Sequence, residues 1–289
     1  MMRAAVAVQY LLPHRLLSRL VLWAARCRWR PWKNLLIRRV VAAYEVDLGE
    51  AAVEDATAYP SFAAFFTRAL KPGARPLPTA AQAIACPADG RISQAGAISA
   101  GRIVQAKGQA FSVAELLGDE AAAAPYAQGQ FVTVYLSPRD YHRVHMPLAG
   151  ELVETLHIPG RLFSVAPFAV EAVPRLFARN ERLVCHFRGA DGPFVVVLVG
   201  AMLVSGIETV WSGVEVPPYA SRPNGRDWQG QGIRLERGAE LGRFNMGSTV
   251  IVLLPTGPAR WGDLVPDQPV RMGQTLGNVT DVAKTSVDS

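Results

Sequence analysis

From Pro72 onward, proline and glycine separate short apolar runs that are rich in β-branched residues. Runs of this length and composition are typical of strands joined by turns. Half of the 289 residues are hydrophobic, which is ample material for a packed interior. The sequence therefore predicts a strand-rich domain around one core. The clearest predicted strands are Phe131–Leu136, Glu151–His157, Arg182–Phe187, Phe194–Val204, Ile207–Trp211 and Thr249–Leu254.

The N-terminal region differs from this body in charge. Residues 1–45 contain nine of the 30 basic residues and one acidic residue, whereas the rest of the chain has 21 basic and 23 acidic residues. A basic excess confined to one terminus predicts a polyanionic partner, either an anionic lipid surface or a nucleic acid. No recognised nucleic-acid-binding motif is present and the body is nearly neutral, so we expect no nucleic-acid partner.

The basic region also has helical periodicity. On a helical wheel Arg15, Arg19 and Arg26 lie opposite an apolar arc, although Leu22 faces the arginines. Tryptophans lie among these bases, as is typical of segments at the headgroup level of a bilayer. We interpret residues 1 to about 45 as a membrane-surface helical segment. The alternative is a helical extension that packs on the core with a solvated basic face. The apolar arc consists of Leu16, Leu17, Leu20, Val21 and Ala24.

Two short helices have recognisable start signals. Ser61 can cap a helix that carries Phe62, and Ser112 with Glu115 has the pattern of a capping box. No signal peptide is convincing, and no apolar run reaches the ~18 residues of a spanning helix. The three cysteines are widely separated and lack the spacing of a metal site, so we expect reduced thiols.

Three groups could carry chemistry, and each also has an ordinary structural explanation. Asp89 belongs to an Asp-Gly pair, which most often forms a turn. His142 and His145 fit metal ligands, catalytic bases or core histidines. In a regular strand residues three apart point to opposite faces, so we expect no metal shared by the pair. Ser248 follows a glycine and precedes an apolar strand, and a turn entering the strand is the simpler explanation of this serine taken alone.

Four separated segments favour the functional explanation of these residues, because together they resemble one family. They are PADGRI at 87–92, YLSPRDYHRVHMP at 135–147, PGRLFSV at 159–165 and GRFNMGST at 242–249. In the expected order, and over essentially the whole chain, they are similar to the bacterial, pyruvoyl-dependent phosphatidylserine decarboxylases of prokaryotic type I. Met246 departs from the leucine usual in the family, but the two side chains have similar volumes.

The resemblance implies an α+β fold. N-terminal amphipathic membrane-docking helices would occupy residues 1–70, and a mostly antiparallel β-rich catalytic domain would occupy residues 71–289. It also implies a peripheral position on the cytoplasmic face of the cell membrane, with phosphatidylserine and an anionic membrane surface as partners. It implies no metal.

The resemblance further implies that the chain cuts itself between Gly247 and Ser248. Asp89 would orient His145, which would deprotonate Ser248 so that its oxygen attacks the Gly247 carbonyl. β-Elimination from the resulting ester would leave a dehydroalanine, which would hydrolyse to a pyruvoyl group with release of ammonia. This pyruvoyl group, derived from Ser248, would begin a fragment of residues 248–289. This fragment is expected to remain associated with the fragment of residues 1–247. A homodimer is left open.

The pyruvoyl group is the implied covalent cofactor. It would accept electrons as carbon dioxide leaves the serine headgroup and phosphatidylethanolamine forms. A histidine with a pKa near the working pH suits the return of a proton to the headgroup carbon, and His142 is the candidate, with a structural hydrogen bond as its alternative. Phe163, Ser164 and Val165 are candidate substrate-binding residues, for which an ordinary core segment is the alternative.

Two other functions compete with this interpretation. The first is a membrane-associated serine hydrolase whose chain stays intact, although no nucleophile-elbow pattern surrounds Ser248. The second is a non-enzymatic lipid-binding module in which Ser248 has no chemical role. Glu208 fits a buried functional acid or an outward-facing strand residue, and strand alternation favours the latter.

Overall fold

A computed structural model describes residues 2–106, 108–202, 206–217, 219, 221–245, 248–257 and 259–280. The N-terminal region is helical, as its periodicity predicts. None of the helices in these residues is long and apolar enough to cross a bilayer. The helices are α1 Met2–Leu11, α2 His14–Arg26, α3 Arg30–Tyr44, α4 Phe62–Phe66, α5 Val113–Leu117, α6 Glu120–Ala123, α7 Pro167–Ala172 and α8 Leu176–Arg179, with a 3₁₀ turn at Ala124–Tyr126.

Both predicted helix starts are confirmed. The Ser61 hydroxyl accepts a hydrogen bond from the N–H of Ala64 at the start of α4 (3.2 Å). At the start of α5, Ser112 and Glu115 make both hydrogen bonds of the capping box. Each cap satisfies N–H groups that the first helical turn would otherwise leave unpaired.

The rest of the chain forms sheets in which the named strands pair antiparallel, so the α+β prediction is confirmed. All six predicted strands are present. The strand predicted over Phe194–Val204 ends at Val199, and residues 203–205 lie outside the described part. The strands are β1 Ala83–Ala85, β2 Gly90–Ala97, β3 Arg102–Ala106, β4 Gln109–Ser112, β5 Gln130–Leu136, β6 Arg143–His145, β7 Gly150–Ile158, β8 Arg182–Gly189, β9 Gly192–Val199, β10 Ile207–Thr209, β11 Gly213–Val216, β12 Asn224–Asp227, β13 Arg234–Leu235, β14 Glu240–Phe244, β15 Ser248–Leu254, β16 Ala259–Trp261, β17 Pro269–Val270 and β18 Thr275–Val279.

The largest sheet has the order β12-β7-β8-β9-β15-β5-β2-β17, with β13 also paired to β7. A second sheet, β11-β10-β14-β6, carries His145 at its edge. Strand β15 lies between β9 and β5, and all of its residues are buried. A continuous apolar run such as Val250–Leu254 suits a strand covered on both faces.

Two apolar cores divide the described residues. The main core fills the β-rich part and also includes Val6 of α1. A smaller core lies within residues 25–66, and its centre is formed by Ile37 and Phe65. The smaller core matches the helical region predicted over residues 1–70, but the Val6 contact joins that region to the β-rich body. The boundary between residues 70 and 71 stays a prediction.

Helix α2 meets the body with the side opposite to its apolar arc. The residues that it buries are His14, Ser18, Leu22 and Ala25. Leu16 and Leu20 are 56% and 54% exposed, and Trp23 is 75% exposed. Leu22, which interrupts the basic side of the wheel, is therefore buried on this side together with Ala25. The helix packs on the protein while Leu16 and Leu20 of its apolar arc face outward together with Trp23, and the other three residues of the arc are half-buried.

Candidate active site

His145 is the last residue of β6, and the backbone around it is fixed by its N–H, which donates to the Pro87 carbonyl (2.8 Å). The ring Nδ1 lies 2.8 Å from the carbonyl oxygen of Gly238. Because a carbonyl only accepts, Nδ1 carries the proton and Nε2 of the neutral ring has a free lone pair. The Tyr141 hydroxyl donates to that Nε2 (3.0 Å).

The environment keeps His145 neutral. Burial lowers its pKa, and the negative charges of Glu240 and Asp89 only partly oppose this effect. Burial also raises the pKa of Tyr141 to about 12, so the phenol keeps its proton. Both rings are buried. The pair can therefore accept a proton at His145 Nε2, with Tyr141 as the neighbouring donor.

Asp89 lies close to this pair but makes no hydrogen bond to His145 among the described contacts. Its carboxylate accepts from the Arg75 Nε (2.9 Å to Oδ1) and from the backbone N–H of Met272 (2.8 Å). Arg75 is also paired with Glu50 (2.8 Å). Asp89 and Tyr141 line one cavity of about 240 Å³. The orienting carbonyl of Gly238 thus occupies the position at Nδ1 that the sequence prediction gave to Asp89.

Ser248 is the first residue of β15 and is completely buried. Its Cα is in register with Leu136 of β5, one strand away from β2, which begins directly after Asp89. The hydroxyl has no hydrogen-bond partner among the described residues. An unpartnered buried hydroxyl costs stability, and the hydroxyl of the neighbouring Thr249 is in the same state among the described residues. Met246 and Gly247, and with them the predicted cleavage bond, lie outside the described residues.

His142 is also completely buried, and its ring is packed against Phe66 with a centroid separation of 4.0 Å. Its Nδ1 donates to the Asp140 carbonyl (2.8 Å), whereas Nε2 has no partner among the described residues. Burial lowers the pKa of His142 to about 3. The expectation of a pKa near the working pH is therefore wrong for this form of the protein, in which His142 is neutral and its free Nε2 can only accept.

The candidate substrate segment is tied to the strand beside β15. The Asn180 side chain donates to the carbonyls of Phe163 and Gly200 (2.9 Å each), and Gly200 follows the end of β9. Phe163 is completely buried, and its ring packs against Tyr10 of α1 and His14 of α2. Val165 is also buried. The N–H of Ser164 donates to the side chain of Gln9 in α1 (2.9 Å).

Sequence reasoning missed several partners of the site. Tyr141 stands in a segment that was singled out for its histidines, so it could have been found. Arg75 and Gly238 lie far from the residues that they contact, and no local pattern marks them. Glu208 is partly exposed, as alternation predicts, but it contacts Asn245, Arg26 and Arg243. No group of three or more His, Cys, Asp or Glu side chains in the described part could hold a metal ion.

The sequence was compared with family profiles and with known proteins, and the matches include the candidate site residues. The profile of a family described as "Phosphatidylserine decarboxylase" matches residues 62–278, and one described as "PSD" matches residues 4–45. The chain belongs to the phosphatidylserine decarboxylase family. That family consists of carboxy-lyases, and the matched span includes the candidate residues Asp89, His142, His145 and Ser248.

Relatives that match over nearly their whole length support the same family assignment. The chain is 59% identical over 276 residues to a protein of Xanthomonas campestris pv. campestris (strain B100), covering 95% of this chain and 98% of that one. It is 60% identical to a protein of Xanthomonas euvesicatoria pv. vesicatoria (strain 85-10), covering 95% and 99%. It is 57% identical over 278 residues to one of Xylella fastidiosa (strain M23), covering 96% and 95%. Each of these relatives is named phosphatidylserine decarboxylase proenzyme.

Proposed function

We propose that this chain is the precursor of a decarboxylase that cuts itself between Gly247 and Ser248 and converts phosphatidylserine to phosphatidylethanolamine and carbon dioxide. The observation that carries the proposal is the Ser248 hydroxyl, which is fully buried and unpartnered among the described residues at the start of the central strand. A serine that is consumed in a reaction has a reason to occupy such a position. The relatives are named as proenzymes, which agrees with a precursor that must be processed.

In the self-cleavage step, Ser248 Oγ gives its proton to His145 and attacks the carbonyl carbon of Gly247. The peptide C–N bond then breaks as the Ser248 nitrogen takes a proton from His145, which leaves an ester. The ring suits this role because Nδ1–H is committed to Gly238 and Nε2 holds the free lone pair. The Tyr141 hydroxyl, which donates to the same Nε2, must either yield this position or pass the proton along. Asp89 acts through its charge, which favours the protonated ring that the step creates.

The group derived from Ser248 would be a pyruvoyl, whose ketone supplies the electron sink for decarboxylation. The described residues around it fit such a group, since Ser248 is fully buried and none of them hydrogen-bonds its hydroxyl. We retain His142 as the residue that moves a proton there. This role requires that the substrate complex raise the pKa of His142 from about 3, so that Nε2, which has no partner among the described residues, can take up a proton and return it to the headgroup carbon after carbon dioxide leaves.

Phe163, Ser164 and Val165 are proposed substrate contacts. Their support is the Asn180 bridge to Gly200, which holds the segment beside the strand next to Ser248. Phe163 is covered by the N-terminal helices, so a lipid would reach it only after these helices shift. Ser164 is partly exposed and would be met first.

We further propose that the protein docks peripherally on the cytoplasmic face of the cell membrane. The outward apolar arc of α2, with Leu16, Leu20 and Trp23 exposed, supports this proposal. Arg19 and Arg26 lie on the same exposed helix and would meet anionic headgroups. This orientation is not that of an ordinary surface helix, which buries its apolar side.

The test of the proposed function is the mass of the purified protein under denaturing conditions. We expect two fragments divided between Gly247 and Ser248, with the smaller one blocked to N-terminal sequencing and trappable by borohydride. Ser248→Ala should remain a single chain without decarboxylase activity, whereas the control Ser93→Ala should mature normally. Active protein consisting of one intact chain would favour the serine hydrolase instead and would overturn the proposal.

A further inference from the structure

An open cavity of about 360 Å³ lies between the end of α2, helix α4 and the end of β14. Arg26 and Arg28 line it together with polar and small residues from the other elements. These other residues are Ser61, Ala63, Ala64, Thr67, Glu208 and Asn245. None of them belongs to the self-cleavage machinery described above.

We propose that this cavity binds the phosphodiester of the phospholipid substrate, with Arg26 and Arg28 as the phosphate ligands. The site rests on the proposed function and adds to it the residues that recognise the headgroup. Arginine is suited to the task because its planar fork of donors matches the oxygens of a phosphate.

The position of the cavity relative to Ser248 is the first support. Asn245 stands three residues before Ser248, so their Cα atoms are at most about 11 Å apart. In a phosphatidylserine headgroup only one oxygen and two carbons separate the phosphorus from the amine nitrogen. An amine that reaches position 248 therefore keeps its phosphate within reach of this cavity.

The state of the two arginines is the second support. Arg26 lies 3.7 Å from the Glu208 carboxylate, which is longer than a hydrogen bond, so its donors remain available. Arg28 has no hydrogen bond or ion pair among the described residues. The turn that carries both is held in place, because the Trp32 indole N–H donates to the Ala24 carbonyl (3.0 Å).

The third support is the mixed charge of the cavity. The Glu208 carboxylate accepts from the Asn245 side chain (3.1 Å) and stands between Asn245 and Arg26. The two arginines outnumber this carboxylate, so the cavity keeps a net positive charge that suits a headgroup carrying both a phosphate and a carboxylate, as the serine headgroup does. The exposed Trp23 and Leu20 on the same helix would place the cavity at the level of lipid headgroups.

Kinetics with dihexanoyl-phosphatidylserine below its critical micelle concentration test this site without any contribution from membrane binding. The variants are Arg26→Gln and Arg28→Gln, each matured and normalised to its titrated pyruvoyl content. Arg39→Gln is the matched control, because it removes the same charge from an exposed position of the neighbouring helix α3 and lies outside the cavity. Inorganic phosphate serves as a competing probe.

We expect KM to rise about tenfold in each cavity variant with kcat within about twofold of the parent, and phosphate inhibition to weaken in parallel. The control should keep the parent values. Unchanged KM in both cavity variants, or an equal rise in Arg39→Gln, would overturn the proposal. If Arg26→Gln does not mature, Arg28→Gln decides alone, since no described contact depends on Arg28. Failure of the proposed function would be recognised earlier, as a parent protein without pyruvoyl or decarboxylation.

Discussion

The imidazole of His145 is held in the tautomer that a base requires, because its Nδ1 proton is committed to Gly238. Burial lowers its pKa from the ordinary value of 6.5, so the neutral form persists further into the acid range. We expect the self-cleavage rate to stay level from about pH 8 to about pH 6.5 and to fall only below that. Denaturing mass spectrometry of freshly synthesised precursor can follow the rate. An acid limb centred above pH 6.5 would contradict the assignment of His145 as the base.

Asp89 is expected to act on His145 by charge, since its hydrogen bonds go to Arg75 and to the Met272 backbone. Asp89→Asn keeps the shape but removes the charge, and should slow self-cleavage by about tenfold or more. Glu50→Gln is the matched control, because Glu50 pairs with the same guanidinium. It should leave the rate within about twofold. Equal slowing in both variants would mean that the pairing of Arg75, and not the charge beside His145, is what self-cleavage needs.

At the scale of single residues, the family resemblance predicts the candidate catalytic side chains. It does not predict the hydrogen-bond partners that orient them. The Nδ1 partner of His145 is a backbone carbonyl 93 positions away in the chain. Every residue has a carbonyl, so residue type carries no sign of this contact. The pKa of His142 was misjudged for a related reason, since its burial against Phe66 depends on the packing of α4 and not on its own segment.

Among the elements, α2 is the one whose exposed face has a testable consequence. We expect the triple change Leu16→Ser, Leu20→Ser and Trp23→Ser to reduce binding to anionic vesicles at least about tenfold, because these side chains supply the outward apolar area. Vesicle co-sedimentation measures the effect. The control is Val265→Ser, which removes an exposed apolar side chain far from the helices in sequence. Unchanged binding of the triple variant would place the docking surface elsewhere.

Deleting residues 1–45 is a poorer experiment than these substitutions. Val6 belongs to the main core, and His14 accepts a hydrogen bond from the N–H of Leu162 (3.1 Å). Removal of the helices would therefore expose the body as well as remove the docking face. The sequence predicts the helices and the apolar arc, but not which side of α2 meets the protein. Leu22, alone on the basic side, was the one local sign of the observed orientation.

For the whole molecule, the number and position of strands follow from the sequence, while their order does not. The strand that begins at Ser248 is inserted between β9 and β5, which are distant from it and from each other in the chain. An apolar run predicts a strand that is covered on both faces. It does not predict which other buried strand lies beside it, because all buried strands share this pattern. Ser248 lies beside Leu136 because of the register between β15 and β5, which the local sequence does not predict.

That central position predicts what self-cleavage does to the molecule. After the chain is cut, residues 248–254 would remain paired to β5 and residues 249–253 to β9, and all seven are buried. Each fully buried Val, Ile or Leu side chain contributes about 1.5–3 kcal/mol. We therefore expect the fragments 1–247 and 248–289 to co-elute in size-exclusion chromatography at nanomolar concentration. They should separate only in denaturant that also abolishes the far-ultraviolet circular dichroism of the sheets. The uncut Ser248→Ala chain provides the reference elution volume. Release of residues 248–289 in native buffer would contradict this prediction. It would mean that β15 is not the central strand of the sheet in the mature protein, because a central strand cannot leave without disrupting the sheet.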